Sequence, residues 1–169
     1  MKELTQARLK ELLHYEPTTG VFTRLVGTSH NAKAGSIAGG VSHGGRYRII
    51  SVRAKLYYAH RLAWLYIFGV WPKIQVDHAN GDRRDNRLCN LREATRRENS
   101  WNVGLRRDNT SGFRGVSWHR QKARWCARIW VRGRCKCLGY FHTPEAASTV
   151  YEAEATNLFG KFKYNQQHD

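Results

Sequence analysis

The sequence is short of acid: 13 Asp and Glu stand against 29 Lys and Arg, a formal charge of +16. A folded chain carries that self-repulsion more easily beside a polyanion, and nucleic acid is the commonest one. The sequence also lacks any apolar run approaching the ~20 residues a membrane span needs. No N-terminal stretch joins a basic start, an apolar run and a small-residue cleavage site. Binding at a membrane surface would want a basic amphipathic helix, whereas the cations here are spread over strand-like and loop-like segments. The four cysteines, Cys89, Cys126, Cys135 and Cys137, form no CxxC pair. Neither a zinc site nor a disulfide framework is expected; free thiols in a reducing cytoplasm are. What the sequence does have is a hydrophobic fraction of 41% and six tryptophans, enough for a packed core.

Periodicity and turn chemistry divide the chain into two α+β parts. A helix is predicted from Leu4-Thr5 to about Tyr15, with Thr5 as its cap, Leu4 and Leu9 spaced as a hydrophobic staple, and Leu9, Leu12 and Leu13 buried. Pro17-Thr18-Thr19-Gly20 turns the chain into a short strand from Val21 to Val26, and Gly27 to about Gly45 reads as loop with room for short strands. Arg46 to Val52 and Leu56 to Tyr58 make a hairpin whose Arg46, Arg48 and Arg53 suit a phosphate backbone or a solvated edge equally. Ala59 to Gly69 is a core helix stopped by Gly69 and Pro72. By composition Arg92 to Val103 is a polar helix, and the aperiodic stretch 104–112 a linker. Beyond it Phe113 to Arg120, Ala123 to Arg132 and Arg134 to Phe141 read as three strands. A helix capped by Thr143, with Pro144 at its first position, then runs to near Gly160. The expected domains are 1–103 and 113–169.

Between these elements lies Val76-Asp77-His78-Ala79-Asn80-Gly81-Asp82-Arg83-Arg84-Asp85-Asn86-Arg87-Leu88-Cys89-Asn90-Leu91, whose composition alone reads as a turn. Its chemistry also suits phosphodiester hydrolysis, which needs an activated water, a cation on the phosphate and groups that hold both. Asp77 offers a carboxylate to a hard divalent ion. His78 titrates near neutrality and can take a proton from water, given a neighbour that fixes its tautomer.

Asp77-His78, then Asn90-Leu91 with Asn90 twelve residues after His78, then Glu98-Asn99 with Asn99 nine residues after Asn90, resemble the motif of HNH endonucleases of the phage homing type. Gly81, Asn86, Thr95 and the upstream His60-Arg61-Leu62 match it too. The resemblance implies a ββα-metal unit with Val76 to His78 and Asn90 to Ala94 as its strands. Asp77 and Asn99 would be ligands to one Mg²⁺ or Mn²⁺, with no zinc and no small-molecule cofactor. His78 would be the general base, and Asn90 would orient it and brace the loop. Arg83, Arg84 and Arg87 suit phosphate contact, and His60 suits a structural or phosphate-contacting role.

In the second part, Trp125, Ala127, Ile129 and Val131 alternate with Arg124, Cys126, Arg128, Trp130 and Arg132, so one sheet face is apolar and the other cationic. Phe113-Arg114-Gly115-Val116, Arg124 to Ile129, Leu138 to Ala147 and Tyr151 to Ala155 resemble the AP2 DNA-binding domain, with Cys137 and Cys135 where plant members usually carry Trp and a basic residue. That resemblance implies DNA contacts from Arg114, Arg128 and Trp130, with Trp118, His119, Arg120 and Arg124 around the first turn. Together the two resemblances describe a site-recognising endonuclease of double-stranded DNA, phage-encoded and acting in the bacterial cytoplasm as monomer or dimer. The alternative is a non-catalytic regulator that binds DNA through the AP2-like part. A restriction or toxin nuclease would share the same chemistry.

Overall fold

The structure, a computed structural model, describes residues 3–30 and 32–163. It is mixed α and β with small antiparallel sheets, in two compact units, Met1–Asn99 and Ser100–Asp169.

The first unit opens with α1 (Gln6–Leu12), capped by the Thr5 hydroxyl, which accepts from the Arg8 amide at 3.3 Å. The helix stops three residues before the predicted end. Leu13 and Tyr15 are buried while His14 between them is exposed, a two-residue period that makes Leu13–Glu16 a strand, β1. It pairs with β2 (Val21–Arg24) across the Pro17–Gly20 turn. The stretch read as loop with short strands holds one, β3 (Gly40–Val41), which joins β4 (Arg48–Val52) and β5 (Lys55–Tyr58) in a three-stranded sheet. Arg53 and Ala54 close the β4–β5 hairpin with φ of 53° and 61°, the double left-handed turn that matches strand twist.

α2 (Ala59–Phe68) follows as predicted and ends at Gly69, whose φ of 75° only glycine adopts without strain. Its buried face, Ala59, His60, Leu62, Ala63 and Leu65, meets Leu9, Tyr15, Phe22 and Ile50 in one core. β6 (Gln75–His78) and β7 (Leu91–Ala94) then pair across the motif loop, and α3 (Arg96–Trp101) begins after them. The helix predicted to start at Arg92 therefore begins at Arg96. Leu91 and Ala94 are buried in a strand, and that tertiary demand overrides the helix-forming composition.

The second unit is an antiparallel sheet in the order β10-β9-β8, with one helix against it. Its strands are β8 (Val116–His119), β9 (Arg124–Val131) and β10 (Arg134–Phe141), and its helix is α4 (Pro144–Phe159). The Thr143 hydroxyl caps α4 by accepting from the Ala146 amide at 3.2 Å. Val116, Ala127 and Ile129 pack on Ala147, Tyr151, Ala155 and Phe159, and the small alanines let helix and sheet approach. Trp101 stacks on Phe159 with ring centroids 4.7 Å apart, and its carbonyl accepts from Arg114. Gly115 has φ of 68°, and a Cβ there would come within 2.2 Å of the Tyr151 ring.

Candidate active site

The β6–β7 register decides which motif residues share a face. Asp77 pairs with Arg92 and His78 with Leu91, so Asp77 and His78 look to opposite sides of the hairpin. Asp77 is buried, and Arg92 donates to its Oδ2 from Nε at 3.0 Å and from Nη2 at 2.8 Å. Gln75 lies two residues before Asp77 and shares its face. The Asn99 amide donates to Gln75 Oε1 at 2.9 Å, which brings Asn99 to that same side and leaves its own oxygen out of the bond. Asn99 is held there by the start of α3. The Thr95 amide donates to Glu98 Oε2 at 2.8 Å, and the Glu98 amide donates to Thr95 Oγ1 at 3.2 Å. This reciprocal capping box is the physical content of the Thr-x-x-Glu spacing.

On the other side, His78 is 3% exposed and Asn86 2%. His78 Nε2 and Asn86 Oδ1 lie 3.5 Å apart, a long contact that a small movement would tighten. The His60 ring meets His78 edge-on at 5.0 Å, with Tyr47 at 6.2 Å from His78. Burial lowers the His78 pKa, partly opposed by Asn86 and the nearby carboxylates. Burial, the neighbouring His78 and Arg61 push His60 down to about 3. Both imidazoles are therefore neutral at pH 7, the state in which His78 can accept a proton.

Asn90 spends its amide on the loop. Its Oδ1 accepts from the Asn80 amide at 2.9 Å, and its Nδ2 donates to the Asp85 carbonyl at 2.8 Å. The side chain brought to His78 Nε2 is that of Asn86, which sequence reasoning matched to the motif without giving it a task. Two further side chains, His60 and Tyr47, gather at the same ring. The His60-Arg61-Leu62 match was the available signal for His60; Tyr47 had none.

The loop's outer side is gripped by the β1–β2 hairpin. Tyr15 donates its hydroxyl to the Asn86 carbonyl at 2.7 Å, and the Leu88 amide donates to the Pro17 carbonyl at 3.0 Å. Gly20, with φ of 72°, sits where a Cβ would be 2.4 Å from the Asn86 carbonyl carbon.

Among the described residues no three His, Cys, Asp or Glu side chains gather as a metal site. The motif donors on the Asp77 face are the Asp77 carboxylate and the Asn99 amide oxygen, beside a Gln75 oxygen that already accepts from Asn99. That short, all-oxygen set fits a hard divalent ion that retains waters and takes phosphate oxygens, rather than one that demands a full protein cage.

A model of the HNH endonuclease family matches residues 57–101, which hold every motif residue described above. Protein 3.8 of Escherichia phage T7 is 36% identical over 104 residues, 61% of this chain and 85% of that protein. The chain belongs to the HNH endonuclease family. No solved structure matches it. The HNH match lies mid-chain rather than at the N-terminus where the sequence reading put the domain, so α1 to β4 precede it as additional structure in the first unit.

Around the HNH motif the loop arginines are exposed yet anchored. Arg84 donates from Nε at 2.9 Å and Nη2 at 2.6 Å to the Gly45 carbonyl, Arg83 lies over the Tyr47 ring, and Arg87 pairs with Asp85 at 2.6 Å. In the second unit, the β8–β9–β10 register gathers His119, Arg124, Cys126, Arg128 and Trp130 on the face away from α4, and Trp130 is 66% exposed. His119 also accepts from the Lys122 amide and meets Tyr140 edge-on, while Arg120 stands exposed in the intervening turn. Two of the expected DNA contacts stand elsewhere. Trp118 is opposite Trp125, on the helix side of the sheet edge, and Arg114 is half-buried with its guanidinium on the Trp101 carbonyl. No helix among the described residues is long and apolar enough to cross a membrane.

Proposed function

We propose that this HNH protein is a metal-dependent endonuclease of double-stranded DNA, of the phage homing type, acting in the bacterial host's cytoplasm. In this reading residues 1–103 form the nuclease domain, 104–112 the connection, and 113–169 an AP2-like domain that positions it. The observation that carries the reading is the buried, neutral His78 beside Asn86 on a hairpin whose opposite face presents Asp77 near Asn99. In the mechanism, His78 takes the proton of the attacking water, and Asn86 holds the imidazole's direction. Asn90 keeps the loop folded so that His78 stays in place. Asp77, aimed by Arg92, and Asn99 would hold Mg²⁺ or Mn²⁺, which when bound stabilises charge on the phosphate and the leaving 3′-oxygen. Arg83, Arg84, Arg87, Arg120, Arg124 and Arg128 are the phosphate contacts this reading assigns, with His119 and Trp130 beside them.

The test is nicking of supercoiled phage DNA in Mg²⁺. Cleavage should vanish with a chelator and fall at least about a hundredfold in His78→Ala and Asp77→Ala. A wild-type protein that retards DNA in a gel but never cuts it would instead make the chain a DNA-binding regulator. The Asp77–Arg92 pair is the observation that favours that second reading, because it occupies the carboxylate a metal would need.

A further inference from the structure

β9 and β10 carry two thiols that the nuclease chemistry leaves unused. Cys126 Sγ lies 3.5 Å from Cys137 Sγ, on the sheet face away from α4. The β9–β10 register places both on that face. Counting from the hairpin turn, Arg134 pairs with Val131, Cys135 with Trp130 and Cys137 with Arg128; beyond them the extra residue Leu138 shifts the register, so that Gly139 pairs with Ala127 and Tyr140 with Cys126. Opposite Arg128, Cys137 shares the outer face with Cys126, two residues along β9.

The two sulfurs differ in access: Cys126 is 1% exposed, whereas Cys137 is open to solvent. They also differ in acidity. Burial pushes the Cys126 thiol up. Desolvation works the same way at Cys137, but the contacts with Cys126, the Gly139 backbone and Tyr140, together with the Arg128 charge, outweigh it and hold that thiol below its usual range. An open, acidic thiol beside a closed one is the arrangement of an attacking and a resolving cysteine.

We propose that Cys126 and Cys137 form a reversible dithiol–disulfide site, closed by a small soluble disulfide such as glutathione disulfide. The Cys137 thiolate attacks one sulfur of the small disulfide, forming a mixed disulfide and expelling one thiolate. Cys126 then attacks Cys137 Sγ, closing the protein disulfide and expelling the second. The protein's two thiols are oxidised, the small disulfide is reduced to two thiols, and the two cysteine protons end on those thiols. Bond formation at ~2.05 Å asks the sulfurs, now 3.5 Å apart, to approach by roughly 1.5 Å. The closed pair ties β9 to β10 beside Arg128. This site stands on thiol chemistry and not on the nuclease reading.

The full chain, reduced and then exposed to glutathione disulfide, tests it by thiol titration and peptide mapping without reductant. The expected result is a fall from four free thiols to two, with a Cys126–Cys137 peptide that dithiothreitol reopens. Cys135→Ser should still close this link and Cys137→Ser should not. Thiols that stay free, glutathione left standing on Cys137, or a Cys135–Cys137 link instead would each overturn the proposal. A circular dichroism spectrum of Cys137→Ser that matches wild type ensures that its failure to close is chemical.

Discussion

At the scale of single residues, the two buried histidines set how the protein answers to acid. Unfolded, each binds a proton near pH 6.5; folded, His60 refuses one until about pH 3, and His78 is shifted in the same direction. Between those values the unfolded chain holds more protons, so stability rises with pH and is lost as pH falls below about 6.5. The slope from His60 approaches ~1.4 kcal/mol per pH unit. Urea unfolding midpoints at pH 7 and pH 5 should show this loss, and His60→Phe should flatten it. Asn86 makes the second prediction at this scale. Asn86→Ala should slow cleavage by about tenfold or more while leaving DNA retardation unchanged, because its side chain meets His78 and the Arg84 carbonyl rather than the outer surface. Equal losses in binding and cleavage would argue against a task at His78.

At the scale of elements, the motif's spacing turns out to encode how its strands and helix are joined. Asp77 and His78 were legible as neighbours in sequence, but their division between two faces needed the β6–β7 register. Asn99 was legible from Glu98-Asn99, and its placement follows from the capping box at the start of α3. Glu98→Ala should cost about 1 kcal/mol of stability and reduce cleavage, whereas Glu98→Gln, which keeps the box, should keep both. Melting temperatures and nicking rates of the two variants separate these outcomes. The division of labour between Asn86 and Asn90 was not legible, since both are asparagines in one polar loop and only hydrogen-bond geometry tells them apart. Nor was β1, because a helix-like leucine spacing runs into Leu13 and only the pairing with β2 reveals a strand. The β9 alternation, by contrast, is plain in the sequence, and it predicts which side of that strand meets α4.

At the scale of the whole molecule, the charge of +16 asks where a polyanion would lie. On the proposed reading the outer face of the β8–β9–β10 sheet is one such place. Arg128→Ala should then weaken DNA binding and flatten its decline with salt by up to about one unit of log–log slope, measured by gel retardation across a salt series. An unchanged slope would move the interface elsewhere. Arg114→Ala should act differently, loosening the second unit through the Trp101 carbonyl it holds.

The grip of the β1–β2 hairpin on the motif loop has a consequence for inheritance. The family match begins at residue 57, yet the loop between the motif halves leans on Tyr15, Pro17 and Gly20. A gene fragment recombined at the match boundary would encode all four motif residues and leave their loop without its backing. A piece that keeps this backing starts no later than β1. Changes at Gly20 should be constrained as tightly as changes at the residues it leans against.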